Sequence, residues 1–175
     1  MAKENDTPIF EQGTKEQKAN KPAIENVCDY FLTDNTLKDG MARLLELSRE
    51  LKMKPVWVQV NGYKCNYKGK KVVSYNIQGK DKICISIVLA DKQDLERVVL
   101  ELPEELRAEF LNRTTTHCGV CSAASCEFGV SVEVSGKKHW FCSRFNYMRY
   151  NPTAEQFKII EQFIKIRRNY IDENK

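Results

Sequence analysis

The stretch PVWVQVNGYKCNYKGKKVVSYNIQGKDKICISIVL, residues 55–89, decides the fold. Trp57-Val58-Gln59-Val60 reads as a strand, and Asn61-Gly62 is a tight-turn dipeptide. Tyr63-Lys64-Cys65-Asn66-Tyr67 alternates, with Tyr63, Cys65 and Tyr67 on one face. Lys68-Gly69-Lys70 turns the chain, residues 72–77 run back, and Gly79-Lys80-Asp81 turns it again into residues 83–89. Short strands joined by short Gly-containing turns predict an antiparallel meander. The last strand is apolar at nearly every position, which predicts burial on both faces.

Upstream, residues 34–54 carry Leu37, Met41, Leu44, Leu45, Ser48 and Leu51 on one helical stripe, stopped by Pro55. Asp34 or Thr36 can cap its start. Gly40 inside that helix costs about 1 kcal/mol relative to alanine and marks a close packing contact. Residues 24–32 predict a short helix. Residues 1–22 are polar and aperiodic and predict a flexible N-terminal arm, with Ile9 and Phe10 as the residues able to dock. Downstream, Leu95, Val98, Val99 and Leu102 form a stripe, and Pro103 opens a second helix with Leu106, Phe110 and Leu111. A cysteine-rich loop, residues 112–127, precedes a strand at 128–134, a turn at Ser135-Gly136-Lys137 and a return strand at 139–145. Asn151-Pro152 predicts the start of a long C-terminal helix bearing Phe157, Ile160, Ile164 and Ile171. The Gly-Lys-Lys turn occurs twice, but basic turns are common and carry no argument for duplication. The expected class is α+β: an antiparallel sheet of about five to six strands with helices packed on it, forming a single domain over residues 23–175.

Composition sets the frame. The chain has 175 residues, 42% hydrophobic and 30% charged, with a net charge of +4. That length suits one domain and the apolar content excludes disorder throughout. No apolar run approaches the ~20 residues of a membrane span, and the N-terminus lacks the apolar core of a secretory signal. The mild positive charge is not the footprint of a dedicated nucleic-acid domain. Seven cysteines without a signal predict a reducing, cytoplasmic setting.

The chemistry concentrates in THCGVCSAASCEFGVSVEVSGKKHWFCSRF, residues 116–145. Its spacing is Cys118-x2-Cys121-x4-Cys126, with Cys142 later and both histidines, His117 and His139, in the same window. A Cys-x2-Cys turn can place two thiolates on one ion. Cys126 and Cys142 are the natural remaining ligands, with His139 or His117 as replacements, and the hairpin should bring Cys142 back towards the start of strand 128–134. Three readings stand: a structural zinc site, packed thiols without metal, or a Cys118/Cys121 redox dithiol or iron–sulfur cluster. A nucleophile pair of Cys142 or Cys118 with His139 is conceivable but has no local signature. Cys28, Cys65 and Cys84 lie in apolar periodic segments and read as core, as do Trp57 and Trp140.

Tyr63, Tyr67 and Tyr75, with Lys68 and neighbouring lysines, offer the aromatic and cationic chemistry of a nucleobase or single-strand platform. The same residues also suit a solvated sheet face with a lysine-rich edge, and the missing arginine cluster favours that reading. Arg167 and Arg168 suit a helix C-terminus without any ligand. No phosphate loop, nucleophile elbow or H-E-x-x-H motif is present.

The run WVQVNGYKCNYKGKKVVSYNI, the cysteine stretch and RFNYMRYNPTAEQFKIIEQFIKIRRNYI together resemble a group of uncharacterised small bacterial cysteine-containing α+β proteins over about residues 40–170. Here Arg144-Phe145 stands apart from Asn151-Pro152, where the group's pattern is tighter. The resemblance implies a bacterial cytosolic protein and carries over no catalytic residue. The resulting expectation is a binding or regulatory module with a structural zinc site. The alternatives are a thiol redox protein or enzyme and a weak nucleic-acid or nucleotide binder.

Overall fold

The computed structural model describes residues 7–112 and 127–174. A 3-10 turn (Ile9–Glu11) leads into α1 (Thr14–Asn20), α2 (Ile24–Phe31) and α3 (Asn35–Glu50). The meander follows as β1 (Pro55–Gln59), β2 (Gly62–Tyr67), β3 (Lys70–Gly79) and β4 (Lys82–Ile87). Then come α4 (Leu95–Glu101), α5 (Glu104–Leu111), the hairpin β5 (Gly129–Val134) and β6 (Lys137–Cys142), β7 (Tyr147–Tyr150) and α6 (Ala154–Glu173). The main sheet is antiparallel in the order β1-β2-β3-β4-β7, and β5 and β6 form a separate two-stranded sheet. The class is α+β, as the periodicity implies. Among the described residues no helix is long and apolar enough to cross a membrane.

Turn chemistry explains the meander. Lys68 and Gly69 have φ of 47° and 78°, and Ser135 and Gly136 have 50° and 75°. A two-residue hairpin of type I′ needs positive φ at both positions. The two hairpins belong to different sheets, so their shared turn is local chemistry.

Register assigns each side chain to a face. Tyr63 opposes Tyr75, Cys65 opposes Val73, Tyr75 opposes Ile85 and Ile87 opposes Tyr147. Helices cover this face: Ser48 Oγ of α3 lies 3.2 Å from the Tyr75 hydroxyl, and the Tyr67 hydroxyl donates to Asp172 of α6 at 3.1 Å. On the other face Val56, Lys64, Ser74, Ser86 and Met148 form one cross-strand row, and none is fully buried. Strand β4 is therefore an interior strand whose isoleucines face the core, while Ser86 stays half-exposed on the other side.

Helices α3 and α6 meet at Gly40, where an added Cβ would lie 2.3 Å from the Phe157 ring. The glycine is thus a packing requirement. Phe110 and Phe141 stack at 4.9 Å between centroids, and Tyr147 and Phe163 meet edge-on at 4.8 Å. These contacts tie α5, β6, β7 and α6 into one core, each pair contributing about 0.5–1.5 kcal/mol beyond area burial.

Four expectations change. The N-terminal arm is docked over residues 7–22: Gln17 is fully buried, and its Oε1 accepts from Asn61 N at 2.9 Å while its Nε2 donates to Phe10 O at 3.1 Å. One amide that hydropathy ignores satisfies the backbone of the β1–β2 turn. The expected return strand at 139–145 ends at Cys142, and the chain then crosses into the main sheet as a further strand, β7, at Tyr147–Tyr150. Asn146, fully buried, accepts from Leu89 N and Ala90 N at 2.7 and 3.1 Å and pins the crossing point. The long helix starts later than Asn151-Pro152. Thr153 caps it in a reciprocal pair with Gln156, while Asn151, at φ 43°, accepts from Ile83 N at 2.9 Å. Trp140 is 38% exposed, because its position on β6 points away from the core.

Candidate functional site

Cys142 is the last residue of β6 and pairs in register with Gly129, the first residue of β5. Ser143 N donates to Phe128 O at 2.7 Å and closes this end of the hairpin. The hairpin thus returns partly exposed Cys142 to the point where the cysteine connection enters β5. Cys118, Cys121, Cys126 and His117 lie outside the described residues. His139 pairs with Val132 and shares its side of β6 with buried Phe141, whereas Cys142 shares its side with Trp140. Alternation sends the two side chains to opposite faces. A Cys142–His139 nucleophile pair is therefore not formed, and the strand offers one or the other, not both, to a common point. Among the described residues no three His, Cys, Asp or Glu side chains gather as a metal-ligand group.

The other end of the connection leaves from the C-terminus of α5, where buried Arg149 holds it. The Arg149 Nε donates to Glu109 Oε1 at 2.7 Å, and Nη2 donates to the Asn112 carbonyl at 2.6 Å. The Tyr147 hydroxyl donates to the same carboxylate at 2.9 Å. Burial pushes the Tyr147 phenol up, with Glu109 adding to the effect and Arg149 opposing it. A cation at a helix C-terminus is favourable, and here it also fixes where the connection departs. The alternation Tyr147-Met148-Arg149-Tyr150 was the available signal, legible once these residues are taken as a strand.

The remaining described cysteines are core groups. Burial pushes the Cys28 thiol up to about 12, with Glu25 and Asp29 adding to it, and the Cys65 thiol up to about 11. Burial also raises Cys84.

The tyrosine platform is not available. Tyr63 and Tyr75 are 2% and 1% exposed, covered by α3 and by the α1–α2 linker, whose Pro22 carbonyl accepts from the Tyr63 hydroxyl at 2.6 Å. Tyr67 and Lys68 reach the surface but are engaged with Asp172 of α6. The tyrosine face is neither a stacking surface nor a solvated one, because it is the side on which the helices pack. Arg167 is also buried, donating to Asp91 at 2.9 Å and to the Lys71 carbonyl at 3.2 Å, so an ion pair accounts for it better than the helix end does.

Sequence reading missed a groove. A cavity of about 820 Å³ opens between the α1–α2 linker, the C-terminal end of α3 and β1. Pro22, Ile24, Met53, Trp57 and Tyr63 give it an apolar wall. Lys21, Lys52 and Lys54 stand around it, while Arg49 is paired with Glu25 at 2.5 Å. Lys21 and Lys52 have φ of 42° and 58°, so each sits where the chain leaves a helix. Two stretches of chain, residues 21–25 and 49–57, build the groove together with Tyr63, and no local motif announces it. An apolar wall with lysine charges at its rim can hold a molecule with a hydrophobic body and an acidic head.

Comparison of the chain with family models, with curated proteins and with solved structures finds no match.

Proposed function

We propose that the protein is a binding module that takes an amphipathic organic anion in the groove between the α1–α2 linker, α3 and β1. The observation that carries this reading is the pairing of an apolar wall with a lysine rim around a cavity of about 820 Å³. That volume falls in the range of small-molecule sites, about 300–1,000 Å³. Trp57 lines the groove and Trp140 does not. A Trp140→Phe variant therefore makes Trp57 the sole indole reporter. Dodecanoate should shift its emission saturably at one site, and dodecyltrimethylammonium should not. Lys52→Glu with Lys54→Glu should weaken dodecanoate about tenfold, equivalent to about 1.4 kcal/mol. Equal response to both amphiphiles, or no effect of the glutamates, sinks the reading.

A second reading concerns the cysteine connection: a structural zinc held by Cys118, Cys121, Cys126 and Cys142, with His139 as the replacement for Cys142. The position of Cys142 opposite Gly129, at the root of the connection, favours it. Zinc takes four thiolate or imidazole ligands tetrahedrally, and such sites contribute about 10–16 kcal/mol in small domains. The reducing, cytoplasmic setting that free thiolates require belongs to the same proposal. Protein purified without added metal should carry one zinc per chain, lost in Cys142→Ser and kept in Cys84→Ser. Metal-free protein in which Cys118 and Cys121 cycle reversibly to a disulfide would instead establish the redox alternative.

A further inference from the structure

The face of the main sheet away from the helices gathers cations at one corner. Lys64 stands on this face beside Ser74, and Lys71 pairs in register with Asn66, two positions further along β2 from Lys64. The two lysines are therefore diagonal neighbours, about 7–8 Å apart at their Cα atoms. The Lys71 ammonium lies 5.9 Å from the centre of the Phe145 ring. Arg144, adjacent to Phe145, lays its guanidinium 3.6 Å over Phe128, an arrangement that holds the planar group in place.

Among the described residues no Asp or Glu pairs with this corner: Lys64, Lys71 and Arg144 form no ion pair, while neighbouring Lys70 and Arg167 are both taken by Asp91. The sequence of residues 113–126 adds Arg113 and His117 but no Asp or Glu. Burial holds the Lys71 ammonium below its ordinary range, opposed by Cys142, and the charges of Lys64, Arg144 and Arg167 depress it further. Like charges at a half-buried corner repel, and a multiply charged anion would relieve all three at once. A guanidinium plane with two ammonium groups matches phosphoryl oxygens, and the Ser74 and Ser86 side chains lie in the same row as Lys64.

We infer that the Lys64–Lys71–Arg144 corner of the sheet face away from the helices is a binding site for a small phosphoryl anion. The site is separate from the groove and stands beside the root of the cysteine connection, where Arg144 lies on Phe128.

Calorimetric titration of inorganic pyrophosphate into the full chain at low salt tests this. One saturable site is expected, weakened at least tenfold by Lys71→Ala and by Arg144→Ala and unchanged by Lys82→Ala, which alters an exposed lysine at the start of β4. Melting without anion gives an independent readout. Lys71→Met should melt no lower than wild type at low salt, because it removes repulsion. Absence of binding at millimolar pyrophosphate overturns the proposal, as does equal weakening by Lys82→Ala. A marked loss of melting temperature in Lys71→Met would reveal an in-chain partner for Lys71 and would also overturn it.

Discussion

Replacing Gly40 by alanine sets two opposite effects against each other. In an open helix interior the change stabilises by about 1 kcal/mol, because glycine is the costlier helix residue. At Gly40 the new Cβ would lie 2.3, 2.4 and 2.5 Å from three ring atoms of Phe157. Carbon atoms rest at about 3.5–4.0 Å, so α3 and α6 would have to part by about 1 Å or more. Phe157 is 4% exposed and cannot swing into solvent without surrendering its burial. Overpacking of this kind costs about 1–3 kcal/mol, and a clash this short belongs at the upper end. Subtracting the helix gain leaves a net loss of about 2 kcal/mol, or a fall in Tm of about 4–8 °C for a chain of this size. Phe157→Ala alone should cost about 3–5 kcal/mol. In that background Gly40→Ala should become stabilising by about 1 kcal/mol, because the obstructing ring is gone. Urea unfolding of the four proteins, followed by far-ultraviolet circular dichroism at constant m-value, measures the reversal. Stabilisation by Gly40→Ala in the wild type, or the same change in both backgrounds, would refute the packing argument.

Further outcomes follow from other elements. Arg149→Ala should cost about 3–5 kcal/mol in chemical denaturation, since it strands the Glu109 carboxylate in a buried setting. Arg149→Met should cost less because it keeps the aliphatic volume, and equal small losses would show that the pair does not anchor α5. At Asp91 burial alone would raise the carboxyl, but Lys70 and Arg167 outweigh it and hold the group below the usual carboxylate range. Its stabilisation is present above the unfolded carboxylate pKa of about 4 and is lost as pH falls through the lower folded value. Asp91→Asn should therefore flatten the acid limb of the Tm–pH curve, and an unchanged limb would count against the linkage. Thiol labelling of the native protein at pH 8, mapped by mass spectrometry, should modify Cys142 and spare Cys28, Cys65 and Cys84, whose thiols are buried and raised. Labelling of Cys65 at a rate close to that of Cys142 would contradict the packing around Ser48.

The meander was legible because its information is local: Asn61-Gly62 and Lys68-Gly69 dictate turns, and alternation dictates faces. What alternation cannot tell is which face the helices will cover. Tyr63, Cys65 and Tyr67 were correctly grouped, yet their side belongs to the core because α3 and α6 pack there. Strand β7 escaped notice because it has four residues and hides an arginine, whose charge is offset by Glu109 from another segment. The docked N-terminal residues depend on Gln17, whose contacts with Asn61 span the distance between α1 and the first turn of the meander. At the cysteine site the return of Cys142 followed from hairpin geometry. The opposite orientation of His139 was equally legible from the two-residue period of a strand. The groove was not legible at all, since residues 21–25 and 49–57 come together only in the fold.

The anchoring of both ends of the cysteine connection has a consequence for the integrity of the molecule. Everything that follows the connection is woven into what precedes it: β7 completes the sheet along β4, and α6 seats its phenylalanine against α3. A protease nick between residues 113 and 126 would cut the polypeptide while leaving this weave intact. The two fragments would travel together as a non-covalent pair until denatured, and the halves expressed as separate chains would have the surfaces needed to find one another.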